Sequence, residues 1–175
     1  MIGQILALEH PDRVRSLISM MSTTNERDLP PSTPEAREAM MGSPPTDRAA
    51  YQVYMGKLGR AFAGGSDQYD ETMQRETAGQ AFDRGLYPLG FLRQMAAIVA
   101  AEGRRERLKT MKVPTLVIHG DCDPVVPLEH ARDTADAIPD SRLLIIPGLG
   151  HGPFYPDLWE EMVAAIANHT ARAEG

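Results

Sequence analysis

The sequence predicts an α/β fold of about three parallel strands with flanking helices and a helical insertion, on three observations. An apolar helical stretch leads directly into a short β-type run near the start. A strand, helix, strand, helix series closes the chain. Between them, Ser22 to Lys112 reads as helical pieces punctuated by Pro and Gly.

The first helix takes in Ile2, Ile5, Leu6 and Leu8 and ends at His10-Pro11, because proline cannot continue the backbone ladder and disfavours helix in the residue before it. Val14 to Met21 (VRSLISMM) is nearly continuous in apolar residues and is expected to be a strand covered on both faces. Helical pieces follow at about 34–42, 47–63, 70–84, 88–102 and 104–111. Their starts are marked by Thr33 before Pro34, with Glu35 three residues after Ser32, and by Thr46 before Asp47. Val113 to His119 (VPTLVIH) is the clearest strand and ends at Gly120. Leu128 to Ile138 is expected to be a helix, Arg142 to Ile146 (RLLII) a second buried strand, and Asp157 to Thr170 an amphipathic helix. Two crossover units of this kind make their strands parallel neighbours.

Bulk properties narrow the function classes. A chain of 175 residues suffices for one domain that removes roughly 70% of its unfolded surface from water. A formal charge of −6 works against a nucleic-acid surface, and the basic run Arg104, Arg105, Arg107, Lys109 is expected to be the solvated face of a helix. Cys122 is the only cysteine, which excludes an intrachain disulfide and a metal site built on thiolates, and fits a reducing cytoplasm. No stretch reaches the roughly 18 apolar residues that span a bilayer, and the start lacks a signal-peptide pattern, so neither membrane nor export is expected.

In open α/β sheets, functional groups gather beyond the carboxyl ends of the strands. Two loops qualify. His119-Gly120-Asp121-Cys122-Asp123-Pro124-Val125-Val126-Pro127 carries two carboxylates, and Pro147-Gly148-Leu149-Gly150-His151-Gly152 sets one histidine among three glycines. A histidine acting as general base needs a carboxylate on one ring nitrogen to fix its tautomer and stabilise the imidazolium it becomes. Neighbouring parallel strands, about 4.8 Å apart, can present that pair to each other.

On these residues the chain resembles the α/β-hydrolase family. The matching segments are Val113-Pro-Thr-Leu-Val-Ile-His-Gly120, the step from Gly120 to Asp123, Pro124-Val-Val-Pro127 and Pro147-Gly-Leu-Gly-His151. Gly3 to Val14 is similar to the helix after the family's nucleophile turn and its approach to the next strand. Ser22-Thr23-Thr24, Tyr87-Pro88 and Arg93-Gln94 resemble the branch that contains aclacinomycin-type methylesterases.

The resemblance implies the C-terminal portion of that fold: core helix and strand over 1–23, a helical cap over 24–103, and the remaining core, with the acid and His loops, over 104–175. It implies Asp123 rather than Asp121 as the orienting acid, His151 as the base, no metal or organic cofactor, and hydrolysis of a lipophilic carboxylic or methyl ester. Met21, Phe62, Phe91 and Phe154 are candidates for the substrate pocket, as are Met40, Met41, Tyr54 and Met55, although residues at helical spacing also serve simply to pack a cap.

The family's Gly-x-Ser-x-Gly turn occurs nowhere in the 175 residues. By analogy its serine would stand about four residues before Met1, so a truncated, weak or inactive hydrolase is expected. Ser22 is the candidate substitute nucleophile. The Cys122 thiol is disfavoured by Asp121 and Asp123 beside it. His10, His119, His130 and His169 read as surface or packing residues. The alternative is a non-catalytic truncated homologue that binds a small apolar ligand or a partner. In either case the strand at 14–21 is expected to keep one edge unpaired and to favour a homo-oligomer through it.

Overall fold

Helix α1 (Ile2–Glu9) stops at the expected place, where His10 leaves helical geometry (φ −133°, ψ 55°) ahead of Pro11. The computed structural model describes residues 1–174. A 3-10 turn, Pro11–Arg13, follows α1, and Val14 donates back to the Pro11 carbonyl. Met21 turns at φ 45°. Ladder geometry is available only between these two constraints, so β1 is Leu17–Met20 rather than the whole of 14–21.

Strands β2 (Thr115–Gly120) and β3 (Arg142–Ile146) complete a parallel sheet of order β1-β2-β3. Leu17 pairs with Thr115 and Met20 with Ile118, while Leu116 pairs with Arg142 and Gly120 with Ile146. All of β2 is buried because it has a neighbour on each side. RLLII was expected to be buried, but Arg142 and Leu143 are exposed and only Ile146 is fully enclosed, since β3 is the outer strand of the described sheet. Likewise β1 pairs only with β2 among the described residues, and Met20 is 38% exposed.

The buried apolar side chains form two clusters, and β2 contributes to the first of them. On one face Leu116 and Ile118 join Ile146, Leu149, Tyr155 and Met162 of α8 (Trp159–Glu174). On the other, Leu17 packs with Ala7 of α1, Val113, Leu108 of α6 (Arg105–Leu108), and Ala137 and Ile138 at the end of α7 (Leu128–Ala137). Fully burying a side chain such as Ile118 stabilises by about 1.5–3 kcal/mol, and the first cluster, which includes Leu149, anchors the loop beyond β3.

Four helices lie between β1 and α6: α2 (Pro34–Met40), α3 (Arg48–Phe62), α4 (Glu71–Arg84) and α5 (Pro88–Ala100). Thr33 caps α2 through Ala36 N–H. Asp47, not Thr46, caps α3, and Asp70 caps α4, each carboxylate accepting from the third residue on. Helices α3 and α4 run antiparallel: Arg48 at the start of α3 pairs with Asp83 near the end of α4 at 2.8 Å, and Arg60 lies 3.6 Å from Glu71 at the other end. Helix α5 buries none of its residues.

The run 104–109 is not a uniformly solvated face. Arg104 is buried, donating to Gln4 Oε1 at 3.0 Å and to the Thr23 carbonyl at 2.9 Å, and burial holds its pKa below the usual arginine range. Arg105 makes a two-pronged contact with Asp28 and reaches Asp133 of α7, whose other oxygen accepts from Thr24. Arg107 and Lys109 make exposed pairs, with Glu9 and Glu106. The basic residues therefore tie the two ends of the segment between β1 and α6 to α1 and α7. That role depends on partners distant in sequence.

Candidate active site

Because β2 and β3 are parallel and Gly120 pairs with Ile146, both chains leave the sheet at the same edge and level. The following loops are joined directly, Asp121 N–H to Ile146 O at 3.4 Å and Cys122 N–H to Leu149 O at 3.2 Å. Gly120 permits this contact: a Cβ there would run into the carbonyl of Leu149.

Within this crossing, the Asp123 carboxylate is fully buried and the His151 side chain is 27% exposed. Asp123 Oδ1 accepts the N–H groups of Val125 and Val126 at 2.9 and 2.8 Å, and Oδ2 lies 2.8 Å from His151 Nδ1. A carboxylate can only accept, so Nδ1 carries the hydrogen, and Nε2, which has no hydrogen-bond partner among the described residues, is the ring nitrogen left to accept. That is the tautomer a general base requires. Hydrogen bonds to a charged group are worth about 1.5–3 kcal/mol each, enough to hold the carboxylate in one orientation. Asp121 has a different job, accepting Gly148 N–H at 2.8 Å on the surface.

The loop between α3 and α4 supports the histidine from the other side. His151 N–H donates to Phe62 O at 2.9 Å, and the Phe62 ring stands edge-on to the imidazole, with 5.8 Å between centroids and 86° between planes. Ser66 Oγ donates to Gly148 O at 2.5 Å, and Asp70 N–H to Phe154 O at 2.9 Å. From sequence, this segment is expected to cover the site and to offer Phe62 and Phe91 to the pocket. No local pattern marks the Phe62–Asp70 turn as a brace for the His loop, because the contacts join residues about eighty positions apart.

The other candidates separate clearly. Phe62 is beside the imidazole. Met21 sits next to the His loop, its sulfur 3.2 Å from Gly152 N, and borders an apolar groove of about 430 Å³ with Met20, Trp159, Met162 and Val163. Phe154 packs against the core cluster under the sheet. Phe91 is 48% exposed on α5, and Met41 is almost fully exposed. Ser22 Oγ accepts from the Met1 nitrogen at 3.1 Å, and among the described residues no hydrogen bond joins it to His151. Burial first, then Asp121, pushes the Cys122 thiol pKa up, away from nucleophilic use.

His119 was missed. It is completely buried, with Nε2 2.7 Å from Val126 O and 3.5 Å from Asp123 Oδ2. The available signal was positional: it is the last side chain of β2 before Gly120, four residues ahead of Asp123.

The sequence matches the profile of the alpha/beta hydrolase fold over residues 1–158. It is 28% identical to the rhodomycin D methylesterase DauP of Streptomyces sp. (strain C5), a match covering 98% of this chain and 64% of that protein. Among solved structures, an esterase from Rhodococcus sp. ECU1013 superposes with a TM-score of 0.67 at 24% identity, covering 97% of this chain and 60% of that one. A putative non-heme bromoperoxidase from Mycobacterium tuberculosis H37Rv gives 0.69 at 21%, covering 99% and 64%. The chain thus spans somewhat less than two thirds of these relatives. No helix among the described residues is long and apolar enough to cross a membrane.

Proposed function

Because this chain belongs to the alpha/beta-hydrolase fold family, we propose that it supplies the base, His151, and the orienting acid, Asp123, of a carboxylic-ester hydrolase acting on a lipophilic small molecule. The observation that carries this is the 2.8 Å contact from His151 Nδ1 to a fully buried carboxylate whose other oxygen is held by two backbone N–H groups.

In the proposed reaction His151 Nε2 takes the proton of a serine hydroxyl as the oxygen attacks the ester carbonyl, and Asp123 stabilises the imidazolium. The proton then passes to the departing alkoxide, leaving an acyl-serine. Water, deprotonated by the same Nε2, attacks the acyl carbon; the bond to the serine oxygen breaks, that oxygen takes the proton back from the imidazolium, and the acid leaves. We assign the serine to a Gly-x-Ser-x-Gly turn outside these 175 residues. Phe62 and Met21, apolar and adjacent to the His loop, support a lipophilic acyl or alcohol group. The single cysteine fits a reducing cytoplasm.

The assay is hydrolysis of p-nitrophenyl esters. The 175-residue chain is expected to run at least about 100-fold slower than the same chain extended by a nucleophile turn, since losing even one oxyanion donor costs on the order of 100-fold. Any turnover of the short chain should vanish in His151→Ala. Turnover unchanged by both His151→Ala and Ser22→Ala would place the chemistry elsewhere and sink the assignment.

A second reading is favoured by the edge of β1 that has no partner among the described residues, beside the apolar groove at Met20, Met21 and Val163. It describes a non-catalytic homologue that associates with a second copy through this edge. Light scattering at micromolar concentration is expected to show a dimer or larger species; a clean monomer would refute the association.

A further inference from the structure

The proposed chemistry uses one of two histidines that face Asp123. His151 Nδ1 lies 2.8 Å from Oδ2, and His119 Nε2 approaches the same oxygen at 3.5 Å. We propose that His119 is the positioning residue of the acid loop: a neutral imidazole whose Nε2–H holds the Val126 carbonyl, leaving Asp123 Oδ2 to His151. The proposal rests on the reading of His151 and Asp123 as base and acid.

The hydrogen positions follow from the partners. Val126 O can only accept, so His119 Nε2 carries the hydrogen across the 2.7 Å contact. At 3.5 Å its approach to Oδ2 is too long to compete with the bond from His151. Among the described residues, His119 Nδ1 is buried with no hydrogen-bond partner. A second proton there would be an N–H enclosed without an acceptor, a state that costs more than it gains beside a carboxylate already holding three donors. Burial accordingly lowers the His119 pKa, with Val126 O and Asp123 pulling the other way. The Val126 residue is gripped at both ends, its N–H by Asp123 Oδ1 and its C=O by His119. The loop is thereby closed onto β2 as a ring through residues 119, 123 and 126. A mere space-filling role would need no N–H at this position, whereas a positioning role does.

The test is proton NMR of the ¹⁵N-histidine-labelled chain, reading the low-field resonance of the His151 Nδ1–H. It is expected in the parent and absent in Asp123→Asn. His119→Leu is expected to lose or broaden it, and His119→Gln, which keeps a side-chain N–H, to restore it. Retention of the parent resonance in His119→Leu, with equal falls in Tm for Leu and Gln, would make His119 a space filler and overturn the proposal. Long-range ¹H–¹⁵N correlation of the unsubstituted protein gives a check that needs no variant: a charged His119 ring, or the Nδ1–H tautomer, at neutral pH refutes it. Absence of the low-field resonance in the parent, or its survival in Asp123→Asn, would instead defeat the base-and-acid reading and the proposal with it.

Discussion

Asp123→Asn is expected to lower kcat for p-nitrophenyl ester hydrolysis by about 10⁴-fold, measured with the nucleophile turn present, while KM stays within about twofold. The amide is nearly isosteric, and its oxygen can keep the bonds from Val125 and Val126 N–H that now go to Oδ1. Its NH₂ group must then face His151 Nδ1 across the 2.8 Å contact. Two donors cannot share that space, so the ring flips to the tautomer with hydrogen on Nε2. The nitrogen proposed to receive the serine proton is then occupied, and the imidazolium loses its counter-charge. Substrate contacts are untouched, which is why KM should hold. A variant within tenfold of the parent would mean that Asp123 does not orient the base. Asp121→Asn is the matched control, because Asp121 bonds Gly148 N–H on the surface rather than the ring.

Gly120→Ala is expected to be strongly destabilising, on the order of 4 kcal/mol or more, which for a chain of this size lowers Tm by about 10 °C. The new methyl group would meet the Leu149 carbonyl, its carbon and its Cβ at once. None of these can swing aside, because Leu149 is fully buried and its carbonyl already accepts from Cys122 N–H. Relief requires the acid and His loops to separate, so stability and site geometry should fail together. Gly65→Ala supplies the contrast. Its φ of +84° makes alanine uncomfortable, but a Cβ there meets nothing within 4 Å, and a loss of only about 1–2 kcal/mol is expected. Thermal melting of the two variants side by side decides the matter. A Gly120→Ala protein melting as high as Gly65→Ala would show that the loops can part cheaply.

Much of the architecture is legible along the chain because its signals are local. His10-Pro11 ends α1, the apolar runs mark β2 and β3, and the side-chain oxygens of Thr33 and Asp70 open α2 and α4 by bonding N–H groups three residues away. The two loops beyond β2 and β3 stand out for the same reason. Their glycines and charged residues are concentrated within a few positions, and parallel pairing of consecutive strands must bring them together. What the chain does not display is anything set by a partner far away. Strand β1 is shortened by the turns flanking it and by having one neighbour. Arg104 looks like a surface residue until Gln4 and Thr23 close over it. Phe62 and Ser66 brace the His loop across some eighty residues of sequence.

The acid loop shows the division most clearly. The sequence by itself determined that a carboxylate and a histidine would stand on adjacent loops, because spacing and strand order suffice for that. Only the tertiary structure decided which oxygen faces which ring, and that His119 stands behind the loop. Hydrogen-bond partners are chosen by distances of a few tenths of an ångström between segments that meet only after the chain has packed.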